Sequence, residues 1–161
     1  MLRVAVLTVS TSGARGERAE DVSGAAIKEI AAAAGWRVVQ YRVVADDRAA
    51  IAAALREWAD GESADLIVTT GGTGLSPTDL TPEATRDVLD RELPGMAEAM
   101  RAVSLAKTPR AMLSRATAGA RRRCLIVNLP GSPKAVRECL EVVLPVIPHA
   151  LEILQARPTD H

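Results

Sequence analysis

The run Thr69 to Asp79 (TTGGTGLSPTD) holds the residues best suited to chemistry in this chain. Gly71, Gly72 and Gly74 let backbone N–H groups approach a ligand closely, and such nests hold phosphates and other anions. The same residues also suit a tight strand-to-helix turn, and the glycines alone do not choose between the two. The run is neither of the two well-known phosphate loops. Leu75 and Ser76 follow Gly74 where a P-loop needs lysine and a hydroxyl, and Pro77 stands where the third glycine of GxGxxG belongs.

Two carboxylates give the run its direction. Asp46 and Asp47 precede a helical stretch; one serves as its N-cap, which leaves the other free. Asp79 is not needed as a cap, because Thr81 caps the next helix and Pro82 enters its first turn. A carboxylate beside an anion-binding loop repels phosphate unless a cation stands between them. Mg²⁺ resolves that conflict, being held by one or two carboxylates plus substrate phosphates. Asp79 and the free member of the Asp46-Asp47 pair are therefore the candidate metal-binding carboxylates, and the chemistry is phosphoryl or nucleotidyl transfer. Basic candidates to complete the charge balance are Arg15, Arg18, Lys107, Arg110, Arg115 and Lys134. Arg115, beside Ser114, is the one expected to face a ligand. Arg121, Arg122 and Arg123 read as a solvated face. Ser132 is a helix cap or, beside Gly131, part of a phosphate-receiving helix N-terminus.

These side chains must be positioned by strands. Arg3–Ser10, Asp65–Thr70 and Arg123–Leu129 are short apolar runs of the buried-strand type, and Trp36–Ala45 is a further Val-rich strand. Helical spacing marks Val22–Ala34, ended by Gly35, and Asp47–Asp60, ended by Gly61. Thr81 opens another helix, Pro94-Gly95 breaks it, and Met96–Leu105 follows. Ser114–Arg123 is expected to be a strand or hairpin arm turning at Gly119. Ser132-Pro133 caps a last helical region that Pro145 and Pro148 kink or divide. The polar stretch Thr11–Asp21 is left without an element. The expected fold is a single α/β domain over residues 1–161, three layers with a mostly parallel, doubly wound sheet and a small hairpin. Ser10 and Ser12, Asp46, the glycine run, and Asn128 to Ser132 then emerge together at the carboxyl edge of one sheet, where such folds bind ligands.

Composition narrows the alternatives. The 161 residues carry 20 basic and 20 acidic side chains, which argues against nucleic acid as a partner. Trp36, Trp58 and Tyr41 are the only aromatics, so base-stacking platforms are not expected. No stretch approaches the ~20 apolar residues of a membrane span, and the first apolar run is too short for a secretory signal, so a cytoplasmic protein is expected. Cys124 and Cys139 form no CxxC pair and read as buried, inert thiols; with His149 and His161 the only histidines, zinc and triad chemistry are not supported. Val103, Leu105 and Met112 form an apolar face that serves either an interface or the core.

TTGGTGLSPTDLTPEAT (Thr69 to Thr85), LSR (Leu113 to Arg115) and NLPGSP (Asn128 to Pro133) together resemble the molybdenum-cofactor biosynthesis proteins of the MogA/MoaB type, whose domain also occurs in gephyrin. The similarity runs from the first strand to the C-terminal helices. It implies molybdopterin adenylyltransfer: the terminal phosphate of molybdopterin attacks the α-phosphate of Mg-ATP, giving adenylylated molybdopterin and pyrophosphate. The family's two key aspartates fall on Asp46 and Asp79, which would hold Mg²⁺. Ser10, Ser12, Thr70, Gly71, Gly72, Thr73, Gly74, Ser114, Arg115, Asn128, Pro130, Gly131 and Ser132 would line the pterin and nucleotide sites. A homotrimer and a protein that inserts molybdenum are the implied partners. One departure stands out: Ser10-Thr11-Ser12 replaces the family's Ser-Asp-Ser or Ser-Asp-Thr, so no charged role falls on position 11. A pterin-binding or scaffold paralog without turnover is the alternative.

Overall fold

The computed structural model describes residues 1–17 and 20–156. Arg18 and His161 lie outside the described residues. The elements run β1 (Arg3–Val9), α1 (Thr11–Ala14), α2 (Val22–Ala33), β2 (Arg37–Val44), α3 (Arg48–Asp60), β3 (Leu66–Thr70), α4 (Thr81–Val88), β4 (Arg91–Glu92), α5 (Pro94–Leu105), a 3-10 turn (Pro109–Leu113), β5 (Ala118–Arg121), β6 (Cys124–Leu129), α6 (Pro133–Val143) and α7 (Ile147–Gln155).

Alternation along the buried strands dictates the layers. Val4 and Val6, Leu66 and Val68, and Leu125, Val127 and Leu129 face one side, packing with residues of α2, α5, α6 and α7. Ala5, Leu7 and Val9, Ile67, and Cys124 and Ile126 face the other, under α3 and α4. Strands apolar on both faces demand a helical layer on each, and the fold supplies them. The sheet order is β2-β1-β3-β6-β5-β4. The first four strands are parallel, and β5 and β4 are antiparallel additions. The chain winds from β1 outward to β2, then returns to β3 on the other side of β1. The doubly wound switch point therefore lies between β1 and β3.

Several expectations are corrected. Gly119 is not a turn but the middle of β5; the reversal comes at Arg122, whose φ of 53° is left-handed. β4, unread in the sequence, pairs with β5 as a two-residue charged edge. Thr81 is not the cap of α4: Leu80 occupies that position without a side-chain cap bond, and Thr81 is buried. Arg121 is not part of a solvated face, since it donates to Asp60 at 2.8 and 2.9 Å and to the Val88 carbonyl oxygen. The polar stretch after β1 holds a helical turn, α1, capped by Ser10. The prolines do divide the last helical region, into α6 and α7. Pro94, read as a breaker, is the first residue of α5, where its missing N–H has no helical partner to lose. Cys124 and Cys139 are free and buried, and burial pushes the Cys124 thiol up to about 12.

Candidate active site

The site begins where the parallel ladder stops. The β1–β2 register ends at Val9 opposite Val44, and the Ser10 N–H extends it to the Val44 carbonyl oxygen at 2.8 Å. Two residues beyond that pair on each chain stand Thr11 and Asp46. The Thr11 backbone N–H and Oγ1 both donate to Asp46 Oδ2, at 3.1 and 2.8 Å. The Asp46 N–H donates back to Thr11 Oγ1 at 3.0 Å. Its neighbour Asp47 caps α3, accepting from the Ala50 N–H at 2.9 Å. The two adjacent aspartates thus divide their tasks as their position before a helix requires.

The connection from β3 to α4 must turn sharply beside this clasp. Gly71 and Gly72 have φ of 95° and 69°, the left-handed region that glycine enters without strain. A Cβ on Gly71 would strike the Val9 carbonyl oxygen, and one on Gly72 would strike Thr81 Oγ1. Thr81 Oγ1 donates to the Gly71 carbonyl oxygen at 2.9 Å, which is why this hydroxyl is buried rather than capping. Farther along, Asp79 Oδ2 accepts from the Ser76 N–H at 3.1 Å. Arg115 braces the segment from behind: Nε donates to the Gly74 carbonyl oxygen and Nη2 to that of Asp79, each at 2.7 Å, and Nη1 to Glu83 Oε2 at 2.6 Å. The hydrogen bond from Arg115 holds the Glu83 carboxyl below its ordinary range.

All four loops enclose one polar cavity of about 380 Å³. Ser10, Ser12, Asp46, Thr70, Gly71, Gly72, Asp79 and Gly131 line it, together with Thr8, Val9, Thr11, Asp21 and Ser23. The two aspartates singled out in the sequence therefore meet at one mouth. Among the described residues no lysine or arginine lines this cavity, while three carboxylates do. Asp21 is heavily engaged. Its Oδ2 accepts from Thr8 Oγ1 at 2.6 Å and the Tyr41 hydroxyl at 2.5 Å, and its Oδ1 accepts from the Gly24 N–H at 2.9 Å. Burial, with the Asp21 carboxylate beside it, pushes the Tyr41 hydroxyl up to about 12. No three acidic, histidine or cysteine side chains form a complete metal cage among the described residues. A cation held by Asp46 and Asp79 would need ligand oxygens to complete its shell, the manner in which Mg²⁺ binds phosphates.

The other residues read as site candidates are distributed behind and beside this mouth. Thr70 Oγ1 donates to the Pro130 carbonyl oxygen at 2.6 Å, and Ser23 Oγ to that of Gly131 at 2.5 Å, fixing the loop after β6. Ser132 caps α6 by accepting from the Ala135 N–H. Thr73 and Gly74 stand back from the cavity within the segment that Arg115 braces. Asn128 is fully buried and its amide serves the scaffold: Oδ1 accepts from the Thr117 N–H, and Nδ2 donates to Thr69 and Thr85 hydroxyls. Ser114, Asn128 and Pro130 belong to a second, apolar-walled cavity of about 170 Å³ that includes Ala97, Met100, Ala116 and Cys139. Pro130 lines this cavity and Gly131 the polar one, so one loop separates the two. Sequence reasoning assigned no site role to Thr8, Asp21 or Ser23 and missed the part of Thr11. The latter was legible in the register, since a parallel pair that ends at 9 and 44 brings 11 beside 46.

A family model described as a probable molybdopterin binding domain matches residues 5–149. The molybdopterin adenylyltransferase of Helicobacter pylori strain J99 is 44% identical over 155 residues, covering 95% of this chain and 88% of that protein. The crystal structure of the molybdopterin biosynthesis enzyme MoaB from Thermus thermophilus superposes with a TM-score of 0.91 at 57% identity, covering 98% of this chain and 99% of the other. The Mog protein of Mycobacterium ulcerans gives 0.88 at 40% identity, covering 96% and 99%. A match across nearly the whole chain, with the glycine run and both aspartates at one sheet edge, places this protein in the molybdopterin-binding domain family of molybdenum cofactor biosynthesis.

Proposed function

We propose that this chain is a molybdopterin adenylyltransferase that uses Mg-ATP. The observation that carries the reading is the pair Asp46 and Asp79, on separate loops, facing one cavity floored by glycine backbone and lined by no basic side chain among the described residues. Phosphates enter such a cavity only with a cation between them and the carboxylates. Mg²⁺ held there by Asp46 and Asp79 would neutralise charge on the phosphates and orient them. Gly71 and Gly72 line the cavity, so a triphosphate there would lie against their backbone. Pro130 and Gly131 stand between the polar cavity and the apolar one, so that a pterin ring in the latter presents its terminal phosphate to the former. An oxygen of that phosphate forms a bond to the α-phosphorus of ATP as the α–β bridging P–O bond breaks, and pyrophosphate leaves. The chain's share is positioning and charge compensation, which dominate phosphoryl-type transfers.

The reading includes a homotrimer in the cytoplasm that hands its product to a molybdenum-inserting protein. The exposed apolar side chains Val103, Leu105, Met112 and Leu113, on α5 and the 3-10 turn, support a subunit contact. No helix among the described residues is long and apolar enough to cross a membrane.

Pyrophosphate release from ATP in the presence of molybdopterin tests the assignment. Asp79→Asn lowers the rate by about 100-fold, the size of effect expected when a group stabilising transition-state charge is lost, and EDTA abolishes it in the wild type. Equal turnover by wild type and Asp79→Asn overturns the metal role. Calorimetry that finds molybdopterin binding but no Mg²⁺-dependent ATP affinity identifies a scaffold instead.

A further inference from the structure

We infer that Thr11 is a positioning residue that sets which oxygen of Asp46 a divalent cation meets. The inference rests on the metal reading of Asp46 given above. Both hydrogen bonds to the Asp46 carboxylate among the described residues come from Thr11, and both end on Oδ2. Oδ1 accepts none there, and Asp46 lines the polar cavity beside Gly72. The clasp is reciprocal, because the same hydroxyl accepts from the Asp46 N–H. One hydroxyl thus fixes the carboxylate and its backbone together. The β-branched side chain of threonine has few χ1 rotamers to choose from, so Oγ1 is held ready before any ligand arrives.

The chemical type of the partner matters as much as its position. An arginine or lysine could fix the carboxylate equally well, but its charge would cancel the one a cation is to meet. A hydroxyl and an amide orient Asp46 and leave its full negative charge. Among the described residues nothing else in this turn does so: Asp47 is occupied at the start of α3, and its N–H turns back to the Ala45 carbonyl oxygen.

The test is Mn²⁺ affinity, read by the loss of free-ion electron paramagnetic resonance signal, in the presence of α,β-methylene-ATP. Wild type, Thr11→Val, Thr11→Ala, Thr11→Ser and Asp46→Asn are compared. Losing a hydrogen bond to a charged group weakens Mn²⁺ binding by about tenfold or more in the valine and alanine variants. Serine keeps the hydroxyl and stays within about threefold of wild type, its shortfall being the freer χ1. The Mg²⁺ concentration that half-saturates pyrophosphate release rises in parallel with the Mn²⁺ dissociation constant, while the molybdopterin concentration that half-saturates it does not move. Alanine reports on the hydroxyl even if valine, which sets a methyl against the Asp46 N–H, disturbs folding. Wild-type affinity in the alanine variant, or equal weakening by alanine and serine, overturns the assignment to Thr11 while Asp46→Asn still binds poorly. Wild-type affinity in Asp46→Asn overturns the metal reading itself.

Discussion

At the scale of single residues, chemistry and scaffold interleave within a few positions. Asp46 and Asp47 look alike in the sequence, yet one caps α3 and the other faces the cavity. That split follows from helix termini needing one acceptor, not two, and so it was legible in advance. Asn128 shows the opposite case. It stands in the family motif and borders the apolar cavity, while its fully buried side chain closes three hydrogen bonds that tie β6 to β3, to α4 and to the segment before β5. No local pattern announces that, because its partners at 69, 85 and 117 are distant in the chain. The expected consequence is structural. Asn128→Leu, similar in volume, leaves the Thr117 N–H and two hydroxyls without partners and destabilises the fold by about 2–3 kcal/mol. Urea denaturation checks this: the midpoint falls while the slope stays the same. A variant with an unchanged midpoint would show that water takes the place of the amide.

Elements follow the sequence closely wherever periodicity is strong. The buried strands β1, β3 and β6, the helices α2 and α3, and the convergence of their loops were all legible, because burial on two faces and on one face leave different patterns. The antiparallel edge was not. β4 is two charged residues long, too short for any period, and its shortness and charge suit an edge that must not recruit other strands. Gly119 misled because glycine more often marks a turn than a close approach. Here a Cβ would meet the Arg91 carbonyl oxygen and stand 2.6 Å from Leu89 Cδ1. The glycine therefore lets β4 reach β5. Gly119→Ala must push the edge strand away, with a cost of about 1–3 kcal/mol typical of overpacking. Amide hydrogen exchange localises the damage: the Asp90 and Leu93 N–H groups, which donate to the Ala120 and Ala118 carbonyl oxygens at 2.8 Å, lose protection. The Leu66–Thr70 amides at the centre of the sheet keep theirs. Equal loss in both places would mean that the edge and the centre open as one unit.

Across the whole molecule, the edge opposite the candidate site is closed by charge. Asp65 accepts from the Arg3 N–H and Nε on Oδ2, and from Arg3 Nη2 and Gln155 Nε2 on Oδ1. It therefore joins the first strand, the central strand and the last helix. Burial pushes the Asp65 carboxyl up, but the hydrogen bonds from Arg3 and Gln155 and the Arg3 charge together outweigh it, and the net movement is downward from 3.8. Glu83, bonded to Arg115, moves downward from 4.5. A carboxyl depressed in the folded state gives stability that is complete above its unfolded pKa and is lost as the pH falls through the folded one. Stability therefore holds level down to about pH 5 and declines below it. Tyr41 and Cys124 set the alkaline limit by the same linkage. Both are pushed up to about 12, so above pH 9, the thiol's ordinary value of 9.0, the unfolded chain sheds protons that the folded one keeps, and stability falls. Urea midpoints measured from pH 3 to 11 should trace this plateau with two shoulders. Asp65→Asn lowers the plateau and makes the acid decline shallower, since one of the carboxyls that drives it is gone, and leaves the alkaline shoulder in place. An acid limb as steep in Asp65→Asn as in the wild type would show that the clamp at this edge contributes nothing to acid unfolding.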